Sequence, residues 1–295
     1  MVAKILLQLD TDAAPSTFDG VVAVDAGVDH LFRHGGVTPE NVTSLVHGVM
    51  FTRGGDALRH TAIFIGGNDV GAAERLLHRV RKCFFGPVRV SVMLDAGGCN
   101  TTAAAAILSA AKHVSLAGAS VGVLGGTGPV GQRVAEMAAI EGSTVQLGSR
   151  SLARAQATAE AIGERLQKHG NDVNIRPWQI EGKAETAEFL AQCSIVITCG
   201  AAGVELIDAD TLGAAPESLR VAIDLNAVPP SGIAGLSPTA KAVERDGRVL
   251  YGAIGVGGLK MKIHRQSLLE LFVANDRVLE SREILQIGKQ VLQAG

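Results

Sequence analysis

The sequence has few cysteines and no metal-binding pattern. Four cysteines occur in 295 residues, and none forms a CxxC pair or stands at a spacing typical of zinc ligands. The eight histidines are scattered, and none has metal-ligand spacing with another histidine or cysteine. We therefore predict that no metal is bound, and that the cysteines are buried, reduced thiols without a role in redox catalysis.

Aromatic residues, basic blocks and long apolar runs are also scarce. One tryptophan and one tyrosine leave no platform on which single-stranded bases could stack, and the formal net charge of −2 comes with no block rich in lysine and arginine. No apolar run approaches membrane-spanning length. We predict neither a nucleic-acid partner nor a membrane partner.

The first ten residues contain an apolar stretch that is too short for a signal peptide, and no small-residue cleavage region follows it. The stretch is typical of a first β-strand. We therefore expect a soluble, cytoplasmic protein.

Glycine, by contrast, is abundant, with 36 residues that cluster after apolar runs. This is typical of an α/β protein whose strand-to-helix turns carry ligand chemistry. The length predicts two domains. We expect one to be a Rossmann-type domain with a doubly wound parallel sheet and the other to be a smaller α/β substrate domain. The active site is expected in the interdomain cleft, because open parallel sheets bind ligands beyond the carboxyl ends of their strands. The predicted boundaries are 1–112 for the substrate domain, 113–262 for the dinucleotide-binding domain and 263–295 for C-terminal helices that pack back on the first domain.

An apolar run that begins at Val121 ends in the pattern Gly126-x-Gly128-x-x-Gly131, which is typical of a dinucleotide-binding strand, turn and helix. In this pattern Gly126 permits the tight turn, Gly128 lets the backbone approach a pyrophosphate, and Gly131 lets the helix pack closely against the strand. The helix N-terminus then faces the phosphates. The predicted phosphate loop consists of Gly126, Thr127, Gly128, Pro129, Val130 and Gly131. The alternative is a glycine-rich turn with a structural role only.

The end of the next predicted strand indicates which dinucleotide is bound. An NAD-preferring site usually places an acidic residue there, but this chain has Ser149 and Arg150, with Arg154 one helical turn further on. Serine can donate to phosphate oxygens, and arginine offers a planar fork to a 2′-phosphate. The sequence therefore predicts NADP, with NAD possible as a second cofactor. The alternative is that both arginines are solvated cations at an ordinary helix start.

Two loops after later strands are expected near the nicotinamide half of the cofactor. The first contains Cys199, Gly200 and Ala201, whose small size allows close approach of the backbone. The second contains Asn226, whose side chain can bond a carboxamide. Packing at the edge of the sheet is the alternative for both.

Polar residues of the N-terminal half also follow predicted strands. Because open parallel sheets bind ligands beyond the carboxyl ends of their strands, these residues are candidates for substrate contact. They are Asp12, Asp95, Asn100 and Thr102. The alternative is that they cap helices, since aspartate, asparagine and threonine are ordinary residues at helix starts.

The segment from Gly252 to Lys262 carries four glycines within seven residues, and Lys260 follows closely. We interpret the glycines as a loop whose backbone is forced close to a neighbour or turned through positive φ. This setting makes Lys260 a site candidate. A solvated surface lysine is the alternative.

Six segments of the chain occur in the order found in bacterial methylene-tetrahydromethanopterin dehydrogenases. They are residues 10–19, 51–55, 62–67, 99–104, 126–131 and 255–260. The chain resembles this family along nearly its whole length. It is most similar to the NADP-dependent branch that can also use methylene-tetrahydrofolate.

The resemblance implies that a methylene group bridging two nitrogens of a reduced pterin is oxidised to a methenyl group, with hydride passing to NADP in one-carbon metabolism. The nitrogen lone pairs spread the developing positive charge, so positioning and electrostatics can supply most of the catalysis without a general base. It also implies a homo-oligomer and Lys260 near the reacting centre as a positioning group. The implied pterin contacts are Asp12, Asp95, Asn100 and Thr102.

Two other interpretations of the sequence stay open. Residues 148–155 also resemble the turn of other two-domain NADP enzymes, such as shikimate-dehydrogenase-like or glutamyl-tRNA-reductase-like proteins. A non-catalytic NADP-binding sensor is the third interpretation. The sequence leaves open which pterin is physiological and whether a cyclohydrolase side activity exists.

Overall fold

The computed structural model describes residues 2–294, which form two compact units. One unit combines the chain up to Thr101 with the segment from Met261 onward, and the other is the continuous segment Thr102–Lys260. The division falls inside two helices, whereas the sequence predicts boundaries after residues 112 and 262.

Strands and helices alternate along most of the chain. The strands are β1 Ile5–Asp10, β2 His30–His34, β3 Thr61–Gly66, β4 Ser91–Leu94, β5 Ser120–Leu124, β6 Thr144–Ser149, β7 Ile175–Gln179, β8 Ile195–Thr198, β9 Val221–Asp224, β10 Val243–Arg245, β11 Arg248–Tyr251 and β12 Val278–Leu279. The helices are α1 Thr17–Asp25, α2 Val42–Met50, α3 Val70–Lys82, α4 Cys99–Ala110, α5 Pro129–Ile140, α6 Leu152–Gln167, α7 Lys183–Ala191, α8 Ala209–Gly213, α9 Ala253–Glu270 and α10 Ser281–Gln293.

The first unit contains a five-stranded parallel sheet in the spatial order β2-β1-β3-β4-β12. Its central strands are apolar and buried, as parallel strands covered on both faces are expected to be. Leu9, Ile63 and Ile65 are fully buried among side chains from α2 and α3. Each such side chain contributes about 1.5–3 kcal/mol through removal from water.

Helix α3 illustrates how local sequence determines an element of this unit. The Asp69 carboxylate accepts a hydrogen bond from the Ala72 amide at 2.9 Å and so caps the helix start. Leu76 and Val80, one turn apart, are buried on the face toward the sheet. Basic residues in the last turn, including Arg81, interact favourably with the negative end of the helix dipole.

The second unit contains a seven-stranded sheet in the order β10-β11-β9-β8-β5-β6-β7. All neighbouring strands are parallel except β10 and β11. Apart from β10, this is the strand order of dinucleotide-binding sheets, in which the order reverses beside the first strand. Here that strand is β5. The predicted α/β class with a Rossmann-type parallel sheet is confirmed.

Within residues 2–294, no helix has the length and apolar character needed to cross a membrane. The same part of the chain contains no group of three or more histidine, cysteine, aspartate or glutamate side chains arranged to hold a metal ion.

Candidate dinucleotide site and polar loops

The chain turns sharply after β5, as the sequence pattern predicts, but the turn is at Gly125 and not at Gly126. Gly125 has φ +74°, in the left-handed region that favours glycine, whereas Gly126 does not have positive φ. A Cβ on Gly126 would lie 2.5 Å from Leu147 Cδ1 on the neighbouring strand β6. The assignment of the tight turn to Gly126 is therefore corrected: Gly125 turns the chain, and Gly126 allows close packing on β6.

Gly131 lies in the first turn of α5, directly over the glycine loop. A Cβ at this position would be 2.5 Å from the Gly125 carbonyl oxygen and 2.7 Å from Gly126 Cα. No real Cβ approaches backbone so closely, so only glycine lets the helix start lie on the turn. Pro129 stands at the beginning of α5, where its missing N–H is tolerated. The start of α5 is thus held next to the carboxyl end of β5.

A cavity of about 290 Å³ opens at the carboxyl ends of β5 and β6 in the second unit. It contains eight of the thirteen predicted cofactor residues: Thr127, Gly128, Ser149, Arg150, Arg154, Cys199, Gly200 and Ala201. The other five do not line it: Gly126, Pro129, Val130, Gly131 and Asn226. Sequence reasoning missed the remaining lining residues: Leu124, Gly125, Gly148, Ser151, Ile180, Val204 and Leu206.

The polar part of the cavity is basic. Arg150 and Arg154 are exposed, and no carboxylate is among the described residues that line the cavity. Ser149 Oγ accepts a hydrogen bond from the Ser151 amide at 3.3 Å, and Ser151 Oγ accepts one from the Arg154 amide at 3.4 Å. These bonds fix the turn from β6 into α6, from which both arginine side chains project. The combination of two guanidinium groups and a helix N-terminus fits a ligand with several phosphates.

The apolar part of the cavity comes from residues that carry no local sequence signal. Ile180 follows the edge strand β7, and its amide donates to the Ser149 carbonyl at 2.9 Å. A Cβ on Gly148 would lie 2.8 Å from Ile180 Cδ1, and one on Gly200 would lie 2.8 Å from Leu206 Cδ1. The side chains of Ile180 and Leu206 thus pack directly against Gly148 and Gly200, where no larger residue would fit. Only the register of the strands brings these residues to the loop after β5.

The Asn226 side chain forms hydrogen bonds within its own loop, which follows β9. It is 6% exposed, its Nδ2 donates to the Pro230 carbonyl at 3.0 Å, and its Oδ1 accepts from the Val228 amide at 3.0 Å. Both ends of the amide are therefore engaged within the loop. These bonds shape the loop after β9, and the contact of Asn226 with a carboxamide stays a prediction.

Cys199 follows β8 and lies beside a buried carboxylate. Asp224 is 1% exposed and accepts hydrogen bonds from Thr198 Oγ1 at 2.7 Å and from the Asn226 amide at 3.0 Å. Burial and, to a lesser extent, the negative charge of Asp224 raise the pKa of the Cys199 thiol above its ordinary range. Burial alone raises the pKa of Cys193 to about 12. Both side chains are neutral thiols at physiological pH.

We expect Cys199 and Cys193 to resist alkylation by iodoacetamide at pH 8 in the folded protein, because the thiolate is the attacking species. Peptide mass spectrometry, with urea-unfolded protein as the control, measures the extent of alkylation. Alkylation of the folded protein at the rate of the unfolded protein would contradict the assignment of neutral thiols.

The raised pKa values also make the stability of the protein depend on pH. The unfolded chain loses these thiol protons near pH 9.0, while the folded chain retains them. The stability that these thiols contribute is therefore complete below that pH and declines as pH rises above it.

In the first unit, the loops after β1 and β3 meet at one edge of the sheet. The partly exposed Asp12 carboxylate accepts hydrogen bonds from Asn68 Nδ2 at 2.6 Å and from the Asn68 amide at 3.2 Å. β1 and β3 are neighbours at the point where the strand order reverses, which is where open sheets of this type bind ligands. The structure thus brings predicted Asp12 together with Asn68, which no sequence signal identified.

Asp95 and Asn100 have structural roles. Both are fully buried. Asp95 Oδ1 accepts from the Asn100 amide at 2.8 Å, and Oδ2 accepts from Thr101 Oγ1 at 2.6 Å. Asn100 Nδ2 donates to the Leu94 carbonyl at 2.7 Å. In this structure the two residues cap and anchor α4, and their contact with substrate stays a prediction. Thr102, on the same helix, is partly exposed and stays a candidate.

The glycine-rich segment before Lys260 is a helix and not the predicted loop. From Ala253 onward it forms the first half of α9, with Gly252 directly before the helix, and none of its glycines has positive φ. The predicted close approach occurs at Gly252 and Gly255, where a Cβ would collide with the carbonyl oxygens of Ser237 and Ala240, respectively. Tertiary packing therefore outweighs the poor helix propensity of glycine here. Lys260 lies in the middle of α9 and is partly exposed.

The strand order and the cavity define the second unit as a Rossmann-type dinucleotide-binding domain. Comparison with known proteins agrees. The sequence model of the family "Methylene-tetrahydromethanopterin dehydrogenase, N-terminal" matches residues 17–97. A shikimate 5-dehydrogenase from Listeria monocytogenes, solved with shikimate and NAD, superposes with a TM-score of 0.56 at 13% identity, covering 98% of this chain and 96% of that chain. This likeness shows the fold alone.

Two proteins of Methylorubrum extorquens strain AM1 are related along their full length. "Bifunctional protein MdtA" is 43% identical over 293 residues, covering 99% of this chain and 100% of that protein. "NAD(P)-dependent methylenetetrahydromethanopterin dehydrogenase" is 30% identical over 309 residues, covering 99% of both. The chain belongs to the methylene-tetrahydromethanopterin dehydrogenase family. The resemblance stated from the six sequence segments is confirmed.

Proposed function

We propose that the protein is an NADP-dependent dehydrogenase that oxidises methylene-tetrahydromethanopterin, or the corresponding tetrahydrofolate, to the methenyl form. The cavity of the second unit carries this proposal, since two arginines and no carboxylate line the turn after β6. One full-length relative is named as an NAD(P)-dependent methylenetetrahydromethanopterin dehydrogenase, which supports the substrate. NAD can serve as a second cofactor, because the same cavity accepts a ribose without the 2′-phosphate.

The residues present fit the cofactor. The phosphates would lie at the start of α5, against Thr127 and Gly128, where a side chain at Gly131 would displace the loop. Arg150 and Arg154 would hold the 2′-phosphate. Ile180, Val204 and Leu206 provide apolar walls of the cavity. When bound, the nicotinamide supplies the hydride acceptor.

On the substrate side, we propose Asp12, Thr102 and Lys260 as contacts. Asp12 is held by Asn68 and keeps partial exposure, so its carboxylate can accept from the pterin amide and amino groups. Lys260 would position the pterin and would not take its proton, since the reaction needs no base. We also propose that the enzyme is a homo-oligomer, as the family resemblance implies, and that it is cytoplasmic.

The test is the rate of reduced nicotinamide formation by the purified protein with each reduced pterin and each dinucleotide. Turnover with methylene-tetrahydromethanopterin and NADP⁺ is the expected result, and the four rates rank pterin and cofactor preference. Absence of turnover in all four mixtures, with NADP still bound, would overturn the proposed reaction and leave a dinucleotide-binding protein.

Replacement of Lys260 by alanine should lower kcat/KM for the pterin by about 10²-fold, because a positioning contact is lost. Lys262→Ala is the matched control, since Lys262 lies on the same helix and is exposed. Steady-state kinetics with both variants measure the difference. Equal activity of the two variants would remove Lys260 from the site.

A further inference from the structure

Asp224, at the end of β9, is a buried carboxylate that the proposed reaction does not use. The residue is 1% exposed. Its Oδ1 accepts hydrogen bonds from Thr198 Oγ1 at 2.7 Å and from the Asn226 amide at 3.0 Å, and its Oδ2 accepts from the Ile233 amide at 3.2 Å. All three partners donate, which is the arrangement that an ionised carboxylate requires, since it can only accept. Asp224 therefore carries a negative charge inside the second unit.

No cation cancels the charge of Asp224 in the described part of the chain. The hydrogen-bond partners of the carboxylate are one hydroxyl group and two backbone amides, and none of the ion pairs in this part of the chain includes it. The backbone at Gly232 covers the carboxylate, because a Cβ there would lie 2.7 Å from Asp224 Oδ1. A buried charge with neutral partners is screened much less than a charge in water, so its field extends to neighbouring groups.

The carboxylate lies directly behind one wall of the dinucleotide cavity. Thr198, which donates to Asp224, immediately precedes residues 199–201, and these three residues line the cavity. The negative charge of Asp224 also contributes to the raised pKa of the Cys199 thiol, after the larger effect of burial. The field of Asp224 therefore reaches the cavity at this wall.

This wall is on the side of the cavity where the nicotinamide half of the cofactor would lie. Arg150 and Arg154, after β6, would hold the 2′-phosphate of the adenosine half, and the start of α5, after β5, would hold the pyrophosphate. The sheet order β9-β8-β5-β6 makes β8 and β9 the next strands in the same direction. A dinucleotide that crosses the strand ends in this order would have its nicotinamide ring beyond β8 and β9.

The two redox forms of the cofactor differ in charge at the nicotinamide ring. The ring of NADP⁺ carries a formal positive charge, and uptake of a hydride makes it neutral, whereas the riboses and phosphates are the same in both forms. A fixed negative charge behind the ring therefore attracts the oxidised form and has little effect on the reduced form. The arginines that would hold the 2′-phosphate cannot make this distinction.

We propose that the buried charge of Asp224 selects the oxidised cofactor, so that the protein binds NADP⁺ more tightly than NADPH. The charge would act on cofactor binding and on release of NADPH, and it would not accelerate hydride transfer, because it stabilises the state before the transfer. This inference rests on the proposed dinucleotide site of the second unit and is independent of which pterin is the substrate.

The natural chain gives the first measurement. Titration calorimetry with NADP⁺ and with NADPH, both without pterin, should give a larger dissociation constant for NADPH than for NADP⁺. Equal constants or tighter binding of NADPH would overturn the inference. Failure to bind either form would overturn the proposed cofactor site as well, whereas binding of NADP⁺ without turnover of a pterin would contradict only the proposed reaction.

Replacement of Asp224 by asparagine removes the charge at nearly constant volume. This variant should lose roughly tenfold of the preference for NADP⁺ over NADPH, mainly through weaker binding of NADP⁺, because the attraction between the ring and the carboxylate is gone. A purely structural role of Asp224 would weaken the binding of both forms equally, since they share every group except the charge of the ring. An unchanged ratio of the two dissociation constants would therefore overturn the inference.

Two further variants separate the charge from the structure around it. Thr198→Val removes a hydrogen bond to Asp224 and keeps the charge, so the preference for NADP⁺ should persist even where both affinities fall. Asp208→Asn is the matched control, because this carboxylate of the same unit accepts from the Thr211 amide at 2.9 Å, is paired with Lys183 and does not line the cavity. The control should keep both affinities.

Loss of the preference in Thr198→Val or in Asp208→Asn would contradict an effect of the Asp224 charge. Circular dichroism and thermal unfolding show whether each variant is folded. If Asp224→Asn does not fold, the titrations of the natural chain and of Thr198→Val still decide, since NADPH binding as tight as NADP⁺ binding in either protein would overturn the inference.

Discussion

Replacement of Gly131 by alanine should lower NADP affinity by more than tenfold and destabilise the protein by about 1–3 kcal/mol, because the added methyl group overpacks a rigid site. The new Cβ would meet the Gly125 carbonyl oxygen at 2.5 Å and Gly126 Cα at 2.7 Å. Both neighbours are backbone, so relief requires movement of the whole turn and of the start of α5. Titration calorimetry with NADP and thermal unfolding measure the two effects.

Gly163→Ala is the matched control, since Gly163 also lies within a helix of the second unit. A Cβ there would have Val173 Cγ1 at 3.9 Å as its nearest neighbour, which is an ordinary contact. Alanine favours a helix over glycine by about 0.5–1 kcal/mol, so this variant should be slightly stabilised and bind NADP normally. Normal NADP binding by Gly131→Ala would show that the phosphates do not lie at this helix start.

Arg150→Ala should reduce kcat/KM with NADP⁺ by roughly 10²-fold and leave that with NAD⁺ nearly unchanged. The reason is the loss of charged hydrogen bonds to the 2′-phosphate, each of which contributes about 1.5–3 kcal/mol. Addition of Ser149→Asp should then raise activity with NAD⁺, because an acidic residue at the end of β6 can accept from the ribose hydroxyls. Steady-state rates with both dinucleotides give the preference ratio.

Arg176→Ala provides the comparison for this prediction. Arg176 is an exposed arginine on the adjacent strand β7 and does not line the cavity. Removal of the Arg176 side chain should change kcat/KM with neither dinucleotide. A general effect of lost positive charge would instead lower kcat/KM with NADP⁺ equally in the Arg150→Ala and Arg176→Ala variants. If the Arg150→Ala variant kept the preference of the natural protein for NADP⁺ over NAD⁺, the cofactor specificity would have to come from Arg154 or from another residue of the cavity.

The parts of the site that lie within one short segment could be predicted from sequence. The pattern from Gly126 to Gly131 specifies a strand, a turn and a helix start, and the requirement for a small residue at Gly131 follows from that pattern alone. The turn residue differs from the prediction, because positions 125 and 126 are both glycine and only backbone geometry shows that Gly125 has positive φ.

Contacts between distant segments could not be predicted. Asn68 reaches Asp12 because β1 and β3 are neighbours with a particular register, and Ile180 reaches the cavity because β7 pairs with β6. The error at α9 has a different cause. Glycines normally predict loops, but the packing of Gly252 and Gly255 against two carbonyl groups makes a helix more stable there than propensity alone allows.

The first unit is discontinuous in sequence, and this affects the order in which the protein can fold during synthesis. Its sheet is completed by β12, where the Val92 amide donates to the Arg277 carbonyl at 2.8 Å and Ser91 Oγ donates to the Ala274 carbonyl at 2.8 Å. The ribosome releases these partners only after the whole second unit has been made. The nucleotide-binding unit can therefore complete its sheet before the earlier-made sheet of the first unit obtains its last strand.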